Sequence, residues 1–179
     1  MSLATTLTPR DLFSDEDLEA LTTLKEAVYP PEPGVTWDGA SREWAAPRWG
    51  VFVRDDSGAL VSYTGVVERE GAHDGEPVSI GGVGGIATHP DHRGKGYAAI
   101  GIGRALDFLA VDGVDFALLV CRDELIAYYE RLGWRLFDGE LLVSQFGEPE
   151  VFTYNRVMVG DVNRAAPRSG TIDLKGPPW

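Results

Sequence analysis

Apolar positions along the chain switch between helical and strand spacing several times, and the switches lay out an order of elements. Leu18, Leu21, Leu24 and Val28 recur every three to four residues, the spacing of one helix face. Ser14 can cap that helix, and Asp15, Glu16 and Asp17 suit its positive end. A first helix is therefore predicted over Ser14 to Tyr29, stopping before Pro30-Pro31. Trp49 to Arg54 and Leu60 to Glu70 read as the arms of a hairpin joined by Asp55-Asp56-Ser57-Gly58, and Gly71 to Glu76 forms the next turn. Ile86 to His89 is a short strand-like run that Pro90 ends, since proline cannot carry on a ladder. Gly81, Gly82, Gly84 and Gly85 lead into it, and glycine within a strand pattern suggests a bulge or the close approach of another chain or ligand.

Helical spacing returns with Ala98, Ile102, Ala105, Leu106 and Leu109, so a long helix starts between Gly94 and Tyr97 and ends at Asp112-Gly113. Val114 to Cys121 is apolar throughout, as expected of a central strand beside a crossover helix. A short helix over Glu124 to Leu132, with stripe Leu125, Tyr128, Tyr129 and Leu132, is closed by Gly133. Further strand material follows at Trp134 to Phe137, Leu141 to Ser144 and Val151 to Val159, whereas Gly160 to Trp179 shows no period. The order of segments predicts an α/β fold: a mixed, partly splayed sheet of six or seven strands with helices on both faces.

Length and composition narrow the classes. The 179 residues, 44% hydrophobic and 25% charged, are expected to form one domain, residues 1–179, with 160–179 as a tail packing back on it. No apolar run approaches a membrane span, and the N-terminus lacks a basic-then-apolar signal pattern. A single cysteine, Cys121, excludes an internal disulfide framework and points to the cytoplasm; after the run Phe116 to Val120 it reads as an inert thiol. His73, His89 and His92 lack metal-site spacing, so no metal is expected. A formal charge of −12 speaks against nucleic acid or an anionic membrane as partner. The same charge would steer a cationic small molecule, and it would equally serve solubility alone. Trp37, Trp44 and Trp49 crowd a proline-rich stretch, which therefore covers the core, lines a pocket, or does both.

The first candidate chemistry lies in the turn Arg93-Gly94-Lys95-Gly96 before the long helix. A helix start leaves its first backbone N–H groups unpaired and carries partial positive charge. Two glycines let an anion approach those groups and two cations add charge, so a pyrophosphate fits there. Gly94-x-Gly96-x-x-Ala99 also fits a relaxed dinucleotide fingerprint, but that motif needs glycine directly after a strand and Pro90 to Gly94 intervene.

The spacing Arg93, Gly96, Ala98, behind Ile86-Ala87-Thr88-His89-Pro90, resembles the acyl-coenzyme A signature of the GNAT N-acetyltransferases. The resemblance implies a GNAT-like splayed sheet whose bulged fourth strand is Val78 to His89. It implies acetyl-CoA as co-substrate, with Ile86, Ala87 and Thr88 along the pantetheine and Arg93, Gly94, Lys95, Gly96, Tyr97 and Ala98 at the pyrophosphate. Tyr128-Tyr129-Glu130-Arg131-Leu132-Gly133-Trp134 is similar to a second family segment, which aligns Tyr129 with a tyrosine that commonly protonates the leaving thiolate. On the residues alone, a core tyrosine on an apolar stripe is the better reading of Tyr129.

Two positions depart from the family pattern. Arg122 stands where many members have asparagine, and Gly84 where relatives often have a glutamate that deprotonates the amine. The length and the ending Ile172 to Trp179 are similar to the aminoglycoside 2′-N-acetyltransferases. That branch implies acceptor-binding roles for Asp38, Glu148 and the terminal carboxylate of Trp179, although Pro177 replaces its usual aspartate. The expectation is an N-acetyltransferase acting on a primary amine of a small cationic molecule in a ternary complex, with room for a homodimer. A coenzyme A sensor without catalysis and a Rossmann-type nucleotide binder are the alternatives.

Overall fold

Strand β4 (Glu76–Thr88) and helix α2 (Tyr97–Val111) sit at the centre of a single ten-stranded mixed sheet and set its geometry. The structure is a computed structural model that describes residues 3–30 and 32–179; Pro31, in the predicted Pro30-Pro31 stop, lies outside them. In chain order the other elements are β1 (Ala4–Pro9), α1 (Asp15–Val28), β2 (Trp49–Arg54), β3 (Leu60–His73), β5 (Phe116–Cys121), α3 (Ile126–Arg131), β6 (Arg135–Leu136), β7 (Asp138–Gln145), β8 (Glu148–Val151), β9 (Arg156–Asp161) and β10 (Ser169–Asp173). The sheet runs β6-β9-β5-β4-β3-β10-β7-β8, and β2 carries β1 alongside β3.

The sheet has more strands than the six or seven predicted, and two of the extra ones have a clear reason. β1 is rich in threonine and mostly half-exposed, so no alternation marks it; it forms because β2 offers an antiparallel edge. β10 falls inside the supposedly patternless tail. Its ladder is parallel to β7 and antiparallel to the far end of β3, so it exists only where two other strands leave a slot. The tail is therefore partly strand, a correction to its reading as plain loop.

Side chains alternate across the sheet and build two layers. On one face α2 and α3 cover Val51, Val66, Val83, Ala117, Leu119 and Met158, with Ile102, Ala105, Leu109 and Tyr129 facing in. On the other, α1 sets Leu21 and Leu24 against Phe52, Tyr63 and Ala87, while Trp179, Ile172, Leu174 and Leu141 pack on Val67, Ile80, Phe116 and Leu118. Helices thus lie on both faces, as the segment order predicts. α1 opens with a reciprocal cap: the Ser14 hydroxyl accepts from the Asp17 N–H at 3.1 Å, and the Ser14 N–H donates to the Asp17 carboxylate.

The feature that positions the site is a parting of strands. β4 and β5 run parallel and pair only from Ile80 to Gly82 against Phe116 to Leu118. Beyond that, β4 continues to Thr88 with no partner on its β5 side. A bulge accompanies the parting, where the β3–β4 register slips between Tyr63 and Gly65 and Gly85 adopts φ +59°. A left-handed residue in one strand of a pair swings that strand away from its neighbour.

Candidate active site

The cleft between the diverging strands is bounded by the Arg93–Gly96 turn, the start of α2, the end of β5 and α3. Gly94 and Gly96 have φ of +75° and +81°, a backbone region that suits glycine, and nothing lies within 4 Å of where their side chains would be. Gly96 is the N-cap of α2 and caps it with no side chain, so the Tyr97, Ala98 and Ala99 N–H groups face outward unclaimed; Ile100 is the first to bond back, to Gly96 O at 3.1 Å. Arg93, Gly94, Lys95 and Gly96 are exposed, and the Arg93 guanidinium reaches back to the Thr88 carbonyl at 3.4 Å. Ile86, Ala87 and Thr88 lie on the free edge of β4 just before this turn. One anion cradle and one unpaired strand edge are thus continuous. Tyr97 supplies only its amide, because its ring is buried against Val53 and Val61.

The dinucleotide reading does not survive this geometry. A separate turn of helix, Pro90 to His92, stands between β4 and the glycines, and the sheet is mixed rather than doubly wound and parallel.

Tyr129 projects from α3 into the layer beneath α2, beside Cys121 at the end of β5. It is 6% exposed, and among the described residues no hydrogen bond ties up its hydroxyl. Burial, then Cys121 and Tyr128 nearby, push its pKa well above that of a free phenol, so the ring stays protonated at neutral pH. Tyr128, its neighbour at 5.1 Å between ring centroids, is raised mainly by burial and is less enclosed. Cys121 is buried, contacts the Met158 sulfur at 3.6 Å, and is pushed up to about 11, first by burial and then by Asp123 and Glu124. A thiol held neutral in this way is a poor covalent carrier.

The tail enters from the opposite face. A sequence of backbone carbonyls clamps it: Gly176 O accepts from Ser144 N at 2.9 Å, Pro177 O from the Arg69 guanidinium at 2.6 Å, and Pro178 O from Ala45 N at 2.6 Å. The Trp179 indole then fills the notch where β4 and β5 part, donating to Leu118 O at 3.1 Å under the Arg69 guanidinium. Gly82 makes room for it, since a Cβ there would overlap the indole. Gly84 does the same for the Trp179 backbone: a Cβ there would stand 3.2 Å from its carbonyl carbon and 3.5 Å from its oxygen. Arg69, Leu118 and Ala45, which sequence reasoning passed over, therefore join Gly82 in holding Trp179 in the cleft. The Gly-Gly-Val-Gly-Gly run was the one available signal, because alternate glycines clear one face of a strand.

Asp38 and Glu148 are placed differently. Asp38 begins a single helical turn in the tryptophan-rich stretch and accepts a hydrogen bond from the Tyr154 hydroxyl. Trp37 stacks on Trp44 at 5.6 Å, and Trp44 meets Tyr154 and Phe152 edge-on. Glu148 is exposed beside the turn of the β7–β8 hairpin. Neither carboxylate is joined to Trp179 by a hydrogen bond or ion pair. Trp49 packs on Phe108 on the α2 face, so the three tryptophans do not form one wall. Among the described residues no group of three or more His, Cys, Asp or Glu is arranged to hold a metal, and no helix is long and apolar enough to cross a membrane.

Comparison with known proteins bears on this cleft. The sequence profile described as Acetyltransferase (GNAT) domain matches residues 11–137. The chain belongs to the GNAT acetyltransferase family. Family membership makes it an acyl-CoA-dependent N-acetyltransferase. Solved structures share the fold at low identity. An Escherichia coli GNAT family N-acetyltransferase, YhbS, in complex with CoA is 18% identical, with a TM-score of 0.63 over 98% of this chain and 92% of its own. A Pseudomonas aeruginosa acyl-CoA N-acyltransferase is 21% identical, with a TM-score of 0.63 over 89% and 99%. A Brucella melitensis GNAT family acetyltransferase in complex with acetyl-CoA is 15% identical, with a TM-score of 0.58 over 94% of each chain. No curated protein matches the sequence significantly.

Proposed function

We propose that the chain moves an acetyl group from acetyl-CoA to a primary amine of a small, cationic acceptor by direct attack in a ternary complex. The observation that carries this reading is the parting of β4 from β5 after Gly82, which leaves a strand edge leading straight into the uncapped N-terminus of α2. The β4 edge from Ile86 to Thr88 pairs with the pantetheine amides. The amides of Tyr97 and Ala98, with Arg93, Gly94, Lys95 and Gly96, hold the pyrophosphate. Tyr129, protonated and with a free hydroxyl, delivers its proton to the departing sulfur. The buried, neutral Cys121 argues for direct transfer over a covalent acyl-enzyme, and a free thiol suits the reducing cytoplasm.

The whole chain carries −12, which favours a cation on approach. An aminoglycoside-like amine is the finest form of this reading, with Asp38, Glu148 and Trp179 contacting its ammonium groups. The test is thiol release from acetyl-CoA over a panel of primary amines, aminoglycosides included, beside calorimetric titrations with coenzyme A and NAD. Coenzyme A binding with amine-dependent thiol release is expected. Coenzyme A binding without thiol release on any amine would make the chain a sensor, and binding of NAD alone would overturn the coenzyme assignment.

A further inference from the structure

We propose that the outer face of Trp37 seats a second, unreacted cationic group of the acceptor, so that the chain selects diamines and polyamines over simple amines. The assignment rests on the acetyltransferase reading above. Trp37 is 55% exposed, yet its ring is held in place. It stacks on Trp44, with centroids 5.6 Å and planes 29° apart, and rests on Gly39, where a Cβ would overlap it. The Trp44 indole is locked through the same glycine, donating to Gly39 O at 2.9 Å. Trp44 in turn meets Tyr154 and Phe152 edge-on, and Asp38 accepts from the Tyr154 hydroxyl. One face of Trp37 is thus spent on Trp44, and the other meets solvent from a rigid support.

The aromatic rings of this region already hold cations. The Arg42 guanidinium lies 5.1 Å from the Tyr154 ring centroid and 6.0 Å from that of Phe152, and Arg69 lies 5.2 Å from that of Trp179. Indole attracts a cation more strongly than the other aromatic side chains do. Among the described residues the protein places no cation of its own over Trp37. An open indole face without a resident cation is a seat for one that arrives with a ligand.

Charge around the wall favours the same occupant. The nearby arginines are matched: Arg42 by Glu150 at 2.7 Å, Arg122 by Glu124 at 3.5 Å and Arg156 by Asp123 at 2.6 Å. Asp38 follows Trp37, Glu43 precedes Trp44, and Glu148 stands opposite Gln145, which donates to the Glu43 carbonyl. Among the described residues none of these three carboxylates has an ion-pair partner. The excess negative charge draws a cation to the wall. A neutral aromatic body would stack on the same indole but gain nothing from that field.

The wall borders the cleft. Ala45, next to Trp44, donates to Pro178 O at 2.6 Å, and Trp44 packs on the cluster that contains Leu118 and Trp179, on the face away from α2 and α3. Tyr154 lies two residues before Arg156, which pairs with Cys121 at the end of β5. A molecule with two amines can therefore send one into the cleft while the other rests on Trp37. The two ends have different needs. The reacting amine must lose its proton to attack, whereas the outer one stays an ammonium, since a lysine-like amine titrates at about 10.4. A monoamine lacks this second hold.

The test compares kcat/KM for a length series of α,ω-diaminoalkanes with that for alkylamines of the same chain length. Beyond the statistical factor for two identical ends, the best diamine is expected to exceed its monoamine by roughly 3- to 30-fold. Trp37→Leu is expected to remove that excess and Trp37→Tyr to keep part of it. Gly39→Ala, which pushes the ring off its seat, is expected to lower it too. An excess untouched by Trp37→Leu overturns the proposal. So does a preference for phenylalkylamines over diamines that Trp37→Leu abolishes, which would make the face a stacking surface for an aromatic acceptor. A second readout needs no turnover. In protein labelled with fluorotryptophan, the Trp37 signal is the one missing from Trp37→Leu. Tetramethylammonium chloride is expected to shift it, and sodium chloride at equal concentration to leave it in place. No shift overturns the seat. A shift in a protein that acetylates no amine leaves the seat standing and removes the enzyme reading instead.

Discussion

The two sides of the cleft are built in opposite ways. The side proposed for the coenzyme is one continuous run, β4 through the Arg93–Gly96 turn into α2, and its geometry follows from neighbours in sequence: a bulge, two left-handed glycines and an uncapped helix start. The side proposed for the acceptor is assembled from pieces far apart. Arg69 meets Pro177 across 108 positions, Asp38 meets Tyr154 across 116, and Trp179 reaches Leu118 across 61. On the proposed reading, local geometry builds the coenzyme part and long-range packing builds the acceptor part. Damage should therefore separate cleanly: changes in the run affect coenzyme, and changes in the clamp affect amine.

The largest effect is expected at the turn. Gly96→Glu puts a side chain on a φ +81° residue and a carboxylate where helix amides await an anion, and Arg93→Glu reverses a charge at the same place. Calorimetry is expected to show coenzyme A binding lost in both. Binding within about threefold of the parent, roughly 0.6 kcal/mol, would take the pyrophosphate away from this loop.

Next in size is Tyr129→Phe, which removes one hydroxyl and keeps the ring. Turnover is expected to fall by about 10²–10⁴-fold with coenzyme affinity held, while Tyr128→Phe stays near the parent. An exchange of behaviour between the two tyrosines would move the acid one residue along α3.

A smaller effect tests the clamp itself. Gly82→Ala forces a methyl into the indole of Trp179, and overpacking of this kind typically costs about 1–3 kcal/mol. Denaturant melts should show that loss, and KM for the amine should rise while coenzyme A binding is kept. Gly84→Ala is the milder partner, because its methyl would meet the Trp179 backbone carbon at 3.2 Å and a shift of a few tenths of an ångström relieves it. Equal stability losses at both positions would mean that the indole and its backbone are held as one unit.

The smallest effect lies at high pH. Burial holds the Cys121 thiol at about 11 and the Tyr63 phenol at about 12, against ordinary values near 8.5 and 10. Between those limits the native chain binds more protons than the unfolded one, so stability is expected to fall as pH rises through the window. Cys121→Ala should flatten the lower part of that slope in thermal melts. A slope unchanged by the substitution would show that the thiol contributes nothing to it.

The sequence by itself determined the periodic parts and the coenzyme loop. Helical stripes such as Leu21 and Leu24, the apolar run of β5 and the glycines of β4 each carry their reason within a few residues, since backbone geometry and one-sided burial are local demands. It also placed Tyr129 on an apolar stripe, and only the fold shows that this buried ring keeps an uncommitted hydroxyl beside β5. Tertiary structure alone decided the rest. β10 is a strand because β3 and β7 present unpaired backbone to either side of it, and no pattern in Ser-Gly-Thr-Ile-Asp could announce that. Asp38 and Glu148 are acidic in the sequence, yet the fold commits one to Tyr154 and leaves the other at a hairpin turn. The position of Trp179 is the clearest case. It depends on two absent side chains, at Gly82 and Gly84, and on partners at Arg69, Leu118 and Ala45, and hydrogen bonds between distant segments leave no periodic trace in a chain.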